Sequence, residues 1–442
     1  MLTLIQIILF LAAAGTAGYF AYKGYHRVYS NIMLGRKENF SDQPEKRWKT
    51  MLLVALGQKK MFKNMTPAIL HLFLYVGFII TQIELIEVLI DGATGNHRAI
   101  YHLVENIAFL KFIYIAIISS IELVSMLVLI GTIAFISRRV FIKVPRLNHS
   151  DLKGFPTKDA LFILAAELYL LTCIFSMNVA DSALHLQETG HTYGFLLSSW
   201  LAPSFAGLSA VFLAVWERLG WWGHTFGVFG LIVYLPYSKH LHIIFAFFNT
   251  YFSRLTEKGY MSNMPEITKE IKLMMDPSAT PEPAPAEPVK FGAKDVMDLS
   301  WKNLLDAYTC TECGRCTSAC PANQTGKKLS PRKIMMDTRD RLDEVGKSIA
   351  ANNGIWKEDG KSLIENGYVS IEELRACTTC NACVEECPVL ISPLDIILQL
   401  RRNLVMEESN APAEWTGMFN NMENNGAPWQ FSQQDRLNWT KA

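Results

Sequence analysis

The sequence predicts an all-α membrane helical bundle of five transmembrane helices, joined to a mainly α-helical polar domain. Long apolar runs fill the chain before about residue 255, whereas eight of its nine cysteines crowd into the polar remainder. A net charge of +1 and 19% charged residues describe neither half, because they pool two unlike ones. The expected domains are 1–255 in the membrane, 256–299 as an amphipathic segment and Pro-rich linker, 300–405 around the cysteines, and a tail at 406–442.

Residues 2–22, 67–90, 108–137 and 159–184 each exceed or approach the roughly 20 apolar residues that cross a bilayer. A fifth span is expected at 221–252. No basic stretch precedes the first apolar run, so it reads as an anchor and not a signal peptide. Lysine and arginine crowd 23–66 and 138–158, while the loops between spans two and three and between four and five hold only Arg98, Lys111 and Arg218. The positive-inside rule therefore puts both rich loops in the cytoplasm. Five crossings then place the N-terminus in the periplasm and the polar half in the cytoplasm, the expectation being a multi-pass protein of a bacterial inner membrane. The apolar stretch 198–216 would make the count even, so an interfacial or re-entrant helix on the outer face is expected there.

The cysteines repeat one pattern, C-x-x-C-x-x-C-x-x-x-C-P. Its copies are Cys310, Cys313, Cys316, Cys320 with Pro321, and Cys377, Cys380, Cys383, Cys387 with Pro388. This is the bacterial ferredoxin run, and two copies imply two [4Fe–4S] clusters in a ferredoxin-like domain. Three cysteines on one tight turn reach three irons of one cube, and the fourth ligates the other cube. The expected ligand sets are Cys310, Cys313, Cys316 with Cys387, and Cys377, Cys380, Cys383 with Cys320. Structural zinc usually pairs two C-x-x-C knuckles or mixes in histidine, and neither arrangement occurs. Around the motifs, an amphipathic helix is expected at 256–275 and a helix at 330–342. The proline-rich stretch 276–290 reads as a polyproline-type spacer able to hold the cluster domain tens of ångströms from its anchor.

Clusters beside a membrane need a redox partner within it. His224 and His242 are 18 residues apart in the fifth span, five turns and about 27 Å on a straight helix, so they share a face, with His240 pointing the other way. Pro236 between them can kink that helix. His71, one turn into the second span, matches His242 in depth, and the two are the expected axial ligands of a haem b. His224 finds no histidine at its depth on the second span, where Ile80, Thr81 and Gln82 stand. The outer candidates are His97, His102, His185 and His191, with His102 best placed for a second haem.

His224 followed by Pro236-Tyr237-Ser238-Lys239 and His242 resembles the last span of the gamma subunit of respiratory nitrate reductases, and His71 with LFLYVGF resembles that family's second helix. The resemblance covers about residues 60–252 and implies haem b and a quinol site near the distal haem. The chain departs from it at Thr81, where that family carries a distal-haem histidine. The whole layout resembles membrane-bound iron–sulfur oxidoreductases, including heterodisulfide-reductase-like proteins and electron-transfer-flavoprotein:menaquinone oxidoreductases. In those proteins a segment similar to FNNMENNGAPWQ leads into CCG modules, which this sequence lacks. The resemblance implies a separate cytoplasmic redox subunit, of CCG-domain or flavoprotein type, docking on the cluster domain and tail.

The expected function is a membrane-anchored subunit of a quinone-linked oxidoreductase, passing electrons between menaquinone or ubiquinone and a cytoplasmic partner. The alternatives are a cytochrome b/iron–sulfur subunit of an anaerobic respiratory reductase and a membrane-anchored redox sensor. Quinone chemistry needs proton carriers, and Glu84, Glu87, Arg98, His102, Glu105, Asp181 and His185 stand at the outer end, Arg98 and His102 being the first choices for a quinone site. Cys173 is expected to pack between helices. The pairs Met274-Met275 and Met335-Met336 suit helix cores or a partner surface, and Lys327, Lys328, Arg332 and Lys333 suit steering of an acidic partner. No phosphate-cradling loop, dinucleotide fingerprint, hydrolytic triad or nucleic-acid-binding pattern is present.

Overall fold

The computed structural model describes residues 2–257, 259–276, 278 and 290–441. Among them there is no β-strand, only two isolated bridges, Arg36 with Ser300 and Ile364 with Val369. Most of the expected proline-rich spacer lies outside the described residues.

The apolar runs without interior proline become four helices long and apolar enough to cross a bilayer: α1 (Leu2–Ile32), α3 (Met65–Thr94), α5 (Ala108–Val140) and α6 (Phe155–Thr189), with α2 (Pro44–Met51) and α4 (Ala99–Val104) in the connections. A fifth candidate span is bent. It combines α8 (Ala210–Tyr234) with α9 (His242–Tyr251), the axes meeting at 94°. Pro236 cannot donate into the ladder, so the helix gives way to single 3₁₀ turns, the second capped where Ser238 Oγ accepts from the His240 N–H. The fifth span therefore starts earlier than expected, at Ala210. Ser209 caps it by accepting from the Phe212 N–H, and only α7 (Ser198–Phe205) remains as the separate short helix of the 198–216 stretch. Apolar counting sees hydrophobicity but not the cap that divides it.

Helices α6 and α8 lie close because glycine leaves room. A Cβ at Gly220 would stand 3.0 Å from the Cys173 carbonyl oxygen, and one at Gly227 would stand 2.6 Å from Leu170 Cδ2. Cys173 is buried in this seam, as a packing residue should be.

The polar half continues through α10 (Pro265–Met275), α11 (Trp301–Thr309), α12 (Arg315–Ala319), α13 (Pro321–Gln324), α14 (Pro331–Ala351), α15 (Ile371–Ala376), α16 (Ala382–Glu386), α17 (Pro393–Met406) and α18 (Ala413–Asn425). It is not held off the membrane helices. At 31 residues, α1 is about 46 Å long, well beyond the roughly 30 Å hydrocarbon core, so its last turns project into the polar domain. There Val28 and Ile32 join one apolar core with Leu241, Ala293, Val296, Leu299, Leu304 and Leu342. Asn31 donates to the Tyr308 hydroxyl at 2.8 Å, and the Arg36 N–H to the Leu299 carbonyl at 2.8 Å. Residues 290–299 thus pack with the cysteine domain and not with a linker. Both basic loops lie on this side. The Lys60 and Met61 carbonyls accept from Arg315 at 3.1 and 3.3 Å, and Arg146 donates to the Cys313 carbonyl at 2.6 Å.

Arg332 is a seam residue and not a surface lure for a partner. Its side chain is 0% exposed, pairs with Asp151 of the membrane part and donates to the Arg146 carbonyl at 2.6 Å. Burial alone would raise the Asp151 carboxyl, but the hydrogen bonds and charge of Arg332 hold it below the ordinary carboxylate range. The pair's contribution is present above that ordinary range and fades as pH falls through the lowered value. Arg332→Ala leaves the buried Asp151 with only the Ser330 hydroxyl at 2.7 Å and His149 at 2.9 Å, and is expected to destabilise the seam by up to about 3–5 kcal/mol. Denaturant titration of the detergent-solubilised protein at neutral pH measures this, and the deficit should shrink on acidification.

Candidate functional site

Two cysteine loops share one backbone plan. Cys310 and Cys377 terminate α11 and α15, and Cys320 and Cys387 terminate α12 and α16, each followed by proline. Between them, Glu312 (φ 54°) and Thr379 (φ 55°) adopt the left-handed conformation, as do Gly314 (φ 73°) and Asn381 (φ 61°). These paired reversals turn each C-x-x-C-x-x-C back on itself, so the sequence repeat is a structural repeat. Gly314 has a second constraint, since a Cβ there would stand 2.5 Å from Arg332 Nη1 and 2.8 Å from the Arg146 carbonyl oxygen.

The loops cross over. Cys310, Cys313, Cys316 and Cys387 line one cavity with Met335 and Ile391. Cys320 faces Cys377 and Cys383, with Cys380 beside them. Among the described residues no three His, Cys, Asp or Glu donors close on a single ion. Thiolates bound to separate irons of a cube stand further apart than ligands of one ion. Burial pushes the Cys310, Cys383 and Cys387 thiols up to about 12, so these pockets favour the neutral thiol until cationic metal arrives. Backbone N–H groups already aim at sulfur, from Thr379 to Cys377 at 3.4 Å and from Ile391 to Cys387 at 3.3 Å.

In the apolar half, His71 Nδ1–H donates to Gln58 Oε1 at 3.1 Å, His242 Nδ1–H to the Lys239 carbonyl at 2.9 Å, and His224 Nδ1–H to the Leu170 carbonyl at 3.3 Å. Each bond fixes the tautomer that leaves Nε2 free to ligate, the arrangement a metal-binding imidazole needs. His71 lies within electrostatic reach of His242 and of Arg315. The expected straight-helix phase between His224 and His242 is lost at the 94° bend. His240 does not point away either. Its ring centroid is 5.5 Å from that of His242, and its buried Nδ1 has no hydrogen-bond partner. Free Nε2 atoms on His71 and His242, with an orphaned nitrogen beside them, fit a haem with two axial histidines. For His224 no second histidine is brought alongside among the described residues.

The histidine corner touches the first cysteine loop directly. Lys239 accepts from His242 through its carbonyl, while its ammonium pairs with Glu312, between Cys310 and Cys313. Burial works against the Glu312 carboxylate, yet Arg339 and Lys239 hold it below the ordinary carboxylate range. Asn249 of α9 donates to the Val389 carbonyl, just past Cys387, at 2.9 Å.

At the far end of the bundle a second polar cluster is buried. Arg98 donates to Asp181 at 2.5 Å, Asn178 at 2.7 Å and Tyr114 at 3.3 Å, so each of its nitrogens has a protein partner. His102 is not brought to Arg98 or to His224. Its side chain is 55% exposed and bonds Glu105 at 3.2 Å. The histidine of this cluster is His97, 2.7 Å from Asp181 and 2.8 Å from Arg218. His185 stacks on Tyr193 at 4.0 Å. Sequence reasoning missed Gln58, Arg315 and Glu312. Gln58 carried no signal, being placed by a π-turn (Leu52–Leu56) and a left-handed φ of 50°.

Residues 309–391 match the family described as a 4Fe-4S dicluster domain, which makes the cysteine module a carrier of two 4Fe–4S clusters. Over nearly its whole length the chain is similar to named iron–sulfur oxidoreductases. It is 28% identical to the probable iron-sulfur-binding oxidoreductase FadF of Bacillus subtilis, over 98% of this chain and 60% of that protein. It is 28% identical to the EtfAB:quinone oxidoreductase of Syntrophomonas wolfei, over 90% of this chain and 54% of that protein. A probable membrane-anchored ferredoxin of Chromohalobacter salexigens is 32% identical over 34% of this chain and 24% of its own. The chain thus spans little more than half the length of the first two. No solved structure matches it.

Gly314→Val is expected to spoil the first loop through both φ and the Arg332 contact. Iron and sulfide assays should then fall by about half, to one cluster's worth, while the second loop keeps its complement.

Proposed function

We propose that the chain is a membrane-anchored electron-transfer subunit, linking the quinone pool to a cytoplasmic redox partner through haem b and two [4Fe–4S] clusters. Cys310, Cys313, Cys316 and Cys387 hold one cluster, and Cys377, Cys380, Cys383 and Cys320 the other. His71 and His242 would hold a haem near the cluster side, and His224 would serve a second. Bound there, haem b supplies one-electron transfer at membrane depth. The observation that supports this reading is the direct link from His242 through Lys239 to Glu312 of the first cysteine loop. Gln58 and the Lys239 carbonyl orient the two imidazoles, and Arg315 ties the loop to the start of α3.

Both basic loops lie beside the cluster domain, which supports a cytoplasmic placement by the positive-inside rule. The partner subunit docks on the cluster domain and tail. Supporting this, α18 exposes Trp415, Met418, Phe419 and Met422 at helical spacing along one face, and Met274 and Met275 of α10 are also exposed. The name of the S. wolfei relative favours an electron-transfer flavoprotein as that partner, and quinone as the membrane substrate. Arg98, fully engaged by protein, organises the outer end, while the His102 side chain stands at the surface on Glu105.

A reduced-minus-oxidised spectrum with iron, sulfide and haem quantitation tests the reading. About eight cluster irons by motif count plus one or two haems are expected. His71→Ala and His242→Ala should each abolish the cluster-side haem signal and leave cluster iron unchanged. A haem content that neither substitution lowers would sink the assignment. Gln58→Leu should keep the haem but shift its midpoint potential, since the His71 Nδ1–H loses its acceptor.

A further inference from the structure

The far-end cluster encloses a small cavity lined by Glu84, Glu87, Asp91, Asp181, Glu217 and Trp221 together with His97 and Arg98, with room for about one water molecule. Glu84, Glu87 and Asp91 follow one face of α3 and rise about 10 Å from the membrane interior towards its end. The other charged groups are answered one by one. Asp181 takes Arg98 and His97, and Glu217 takes Arg218. Asp91 accepts the backbone N–H of Arg98 and Ala99 at 3.0 and 2.9 Å. Glu87 accepts the Tyr114 hydroxyl at 2.7 Å, and Glu122 of α5 accepts the N–H of Leu197 at 2.6 Å. Glu84 is 3% exposed and is left with only the neutral Asn178 amide, at 2.9 Å, and no ion pair among the described residues.

Five lining carboxyl groups face two arginines and one histidine, so at least two negative charges would go unanswered inside the membrane unless protons occupy them. A second observation points into the same space. The Trp221 indole N–H is 4% exposed and has no hydrogen-bond partner, a donor waiting for a water or another acceptor in the cavity. Trp221 stands one turn along α8 from His224, while His97 at the other end keeps 39% of its side chain exposed. The lining of this small cavity thus joins Trp221, one turn from the outer haem-ligand candidate, to the partly exposed His97.

We propose that this cavity is a proton-exchange chamber, with Glu84 as its inner proton carrier and His97 as its outer port. The inference rests on the quinone-linked reading. Oxidation of one quinol gives one quinone, two electrons and two protons. The electrons leave singly towards the clusters, while Glu84, protonated at rest, passes its proton through the Trp221-held water to His97 and the far side, and each quinol hydroxyl proton in turn refills it. Quinone reduction runs the same transfers backwards.

The test uses the full chain in detergent, with menadiol as reductant and the haem band as readout, beside Glu84→Gln, which keeps a hydrogen bond to Asn178. Haem reduction by menadiol should slow at least about tenfold in the variant, while the dithionite-reduced spectrum stays that of the unsubstituted protein. The infrared absorption of protonated carboxyls should lose the share that Glu84 contributes, a change visible without turnover. An unchanged menadiol rate or an unchanged infrared band overturns the chamber and leaves the quinone reading standing. An unsubstituted protein whose haem menadiol cannot reduce overturns both. Should Glu84→Gln fail to fold, His97→Gln in vesicles carries the test. Proton appearance in a far-side pH dye must then lag behind haem reduction, and simultaneous appearance overturns the proposal.

Discussion

Everything on the electron-carrying side hangs on one buried polar contact, the pairing of Lys239 with Glu312. Lys239 sits in the corner between α8 and α9, and its ammonium also donates to the Pro156 carbonyl at 2.7 Å and lies 3.9 Å from Asp159. Glu312 answers from the first cysteine loop and takes Arg339 of α14 at 2.9 Å on its other oxygen. Three membrane elements and two cluster-domain elements thus converge on a few charges, most of them under a tenth exposed. Removing one partner would strand a charge in a dry seam, a cost of several kcal/mol, comparable with the whole stability of many domains. The same contact sets the geometry that matters chemically, because the Lys239 carbonyl orients His242 while its side chain grips the loop beside Cys310 and Cys313.

This explains why the corner is built from a proline. A continuous helix through residue 251 would carry His242 and Lys239 straight on, out of reach of the cysteine loop and of His71. Breaking the helix at Pro236 turns α9 along the domain seam, where Asn249 can hold the segment after Cys387. The bend costs a few backbone hydrogen bonds, which Ser238 and the neighbouring 3₁₀ turns restore in part.

Legibility in the sequence followed the range of the interaction. The cysteines were readable down to their crossed grouping, because spacing of three along a turn is local geometry and the fourth residue's role follows from it. The four long apolar helices were readable from hydropathy. What failed was whatever depends on chain reversal or distant packing. The expected shared face of His224 and His242 assumed a straight axis. The Ser209 cap, invisible to an apolar count, moved the start of the fifth span. The spacer's composition implied a cluster domain standing off, yet α1 is long enough to carry Val28 and Ile32 into that domain's core. Arg332 looked like one of four surface cations, and only the fold shows it 0% exposed against Asp151.

The two buried polar clusters, one at each end of the bundle, differ in a way that bears on their roles. At the cluster-domain seam, acids and bases nearly balance: Asp159 and Glu312 face Lys239 and Arg339, and Asp151 faces Arg332. A balanced, interlocked set resists any change of charge, which suits a contact whose task is to hold two redox sites at fixed separation. At the far end the acids outnumber the bases, one carboxyl has only a neutral partner, and one indole donor has none. An unbalanced set must exchange protons with something to exist in a membrane at all. Under the proposed quinone-linked reading, a chain that moves single electrons at one end and settles two protons per quinone at the other calls for this asymmetry, rigid where electrons cross and titratable where protons leave.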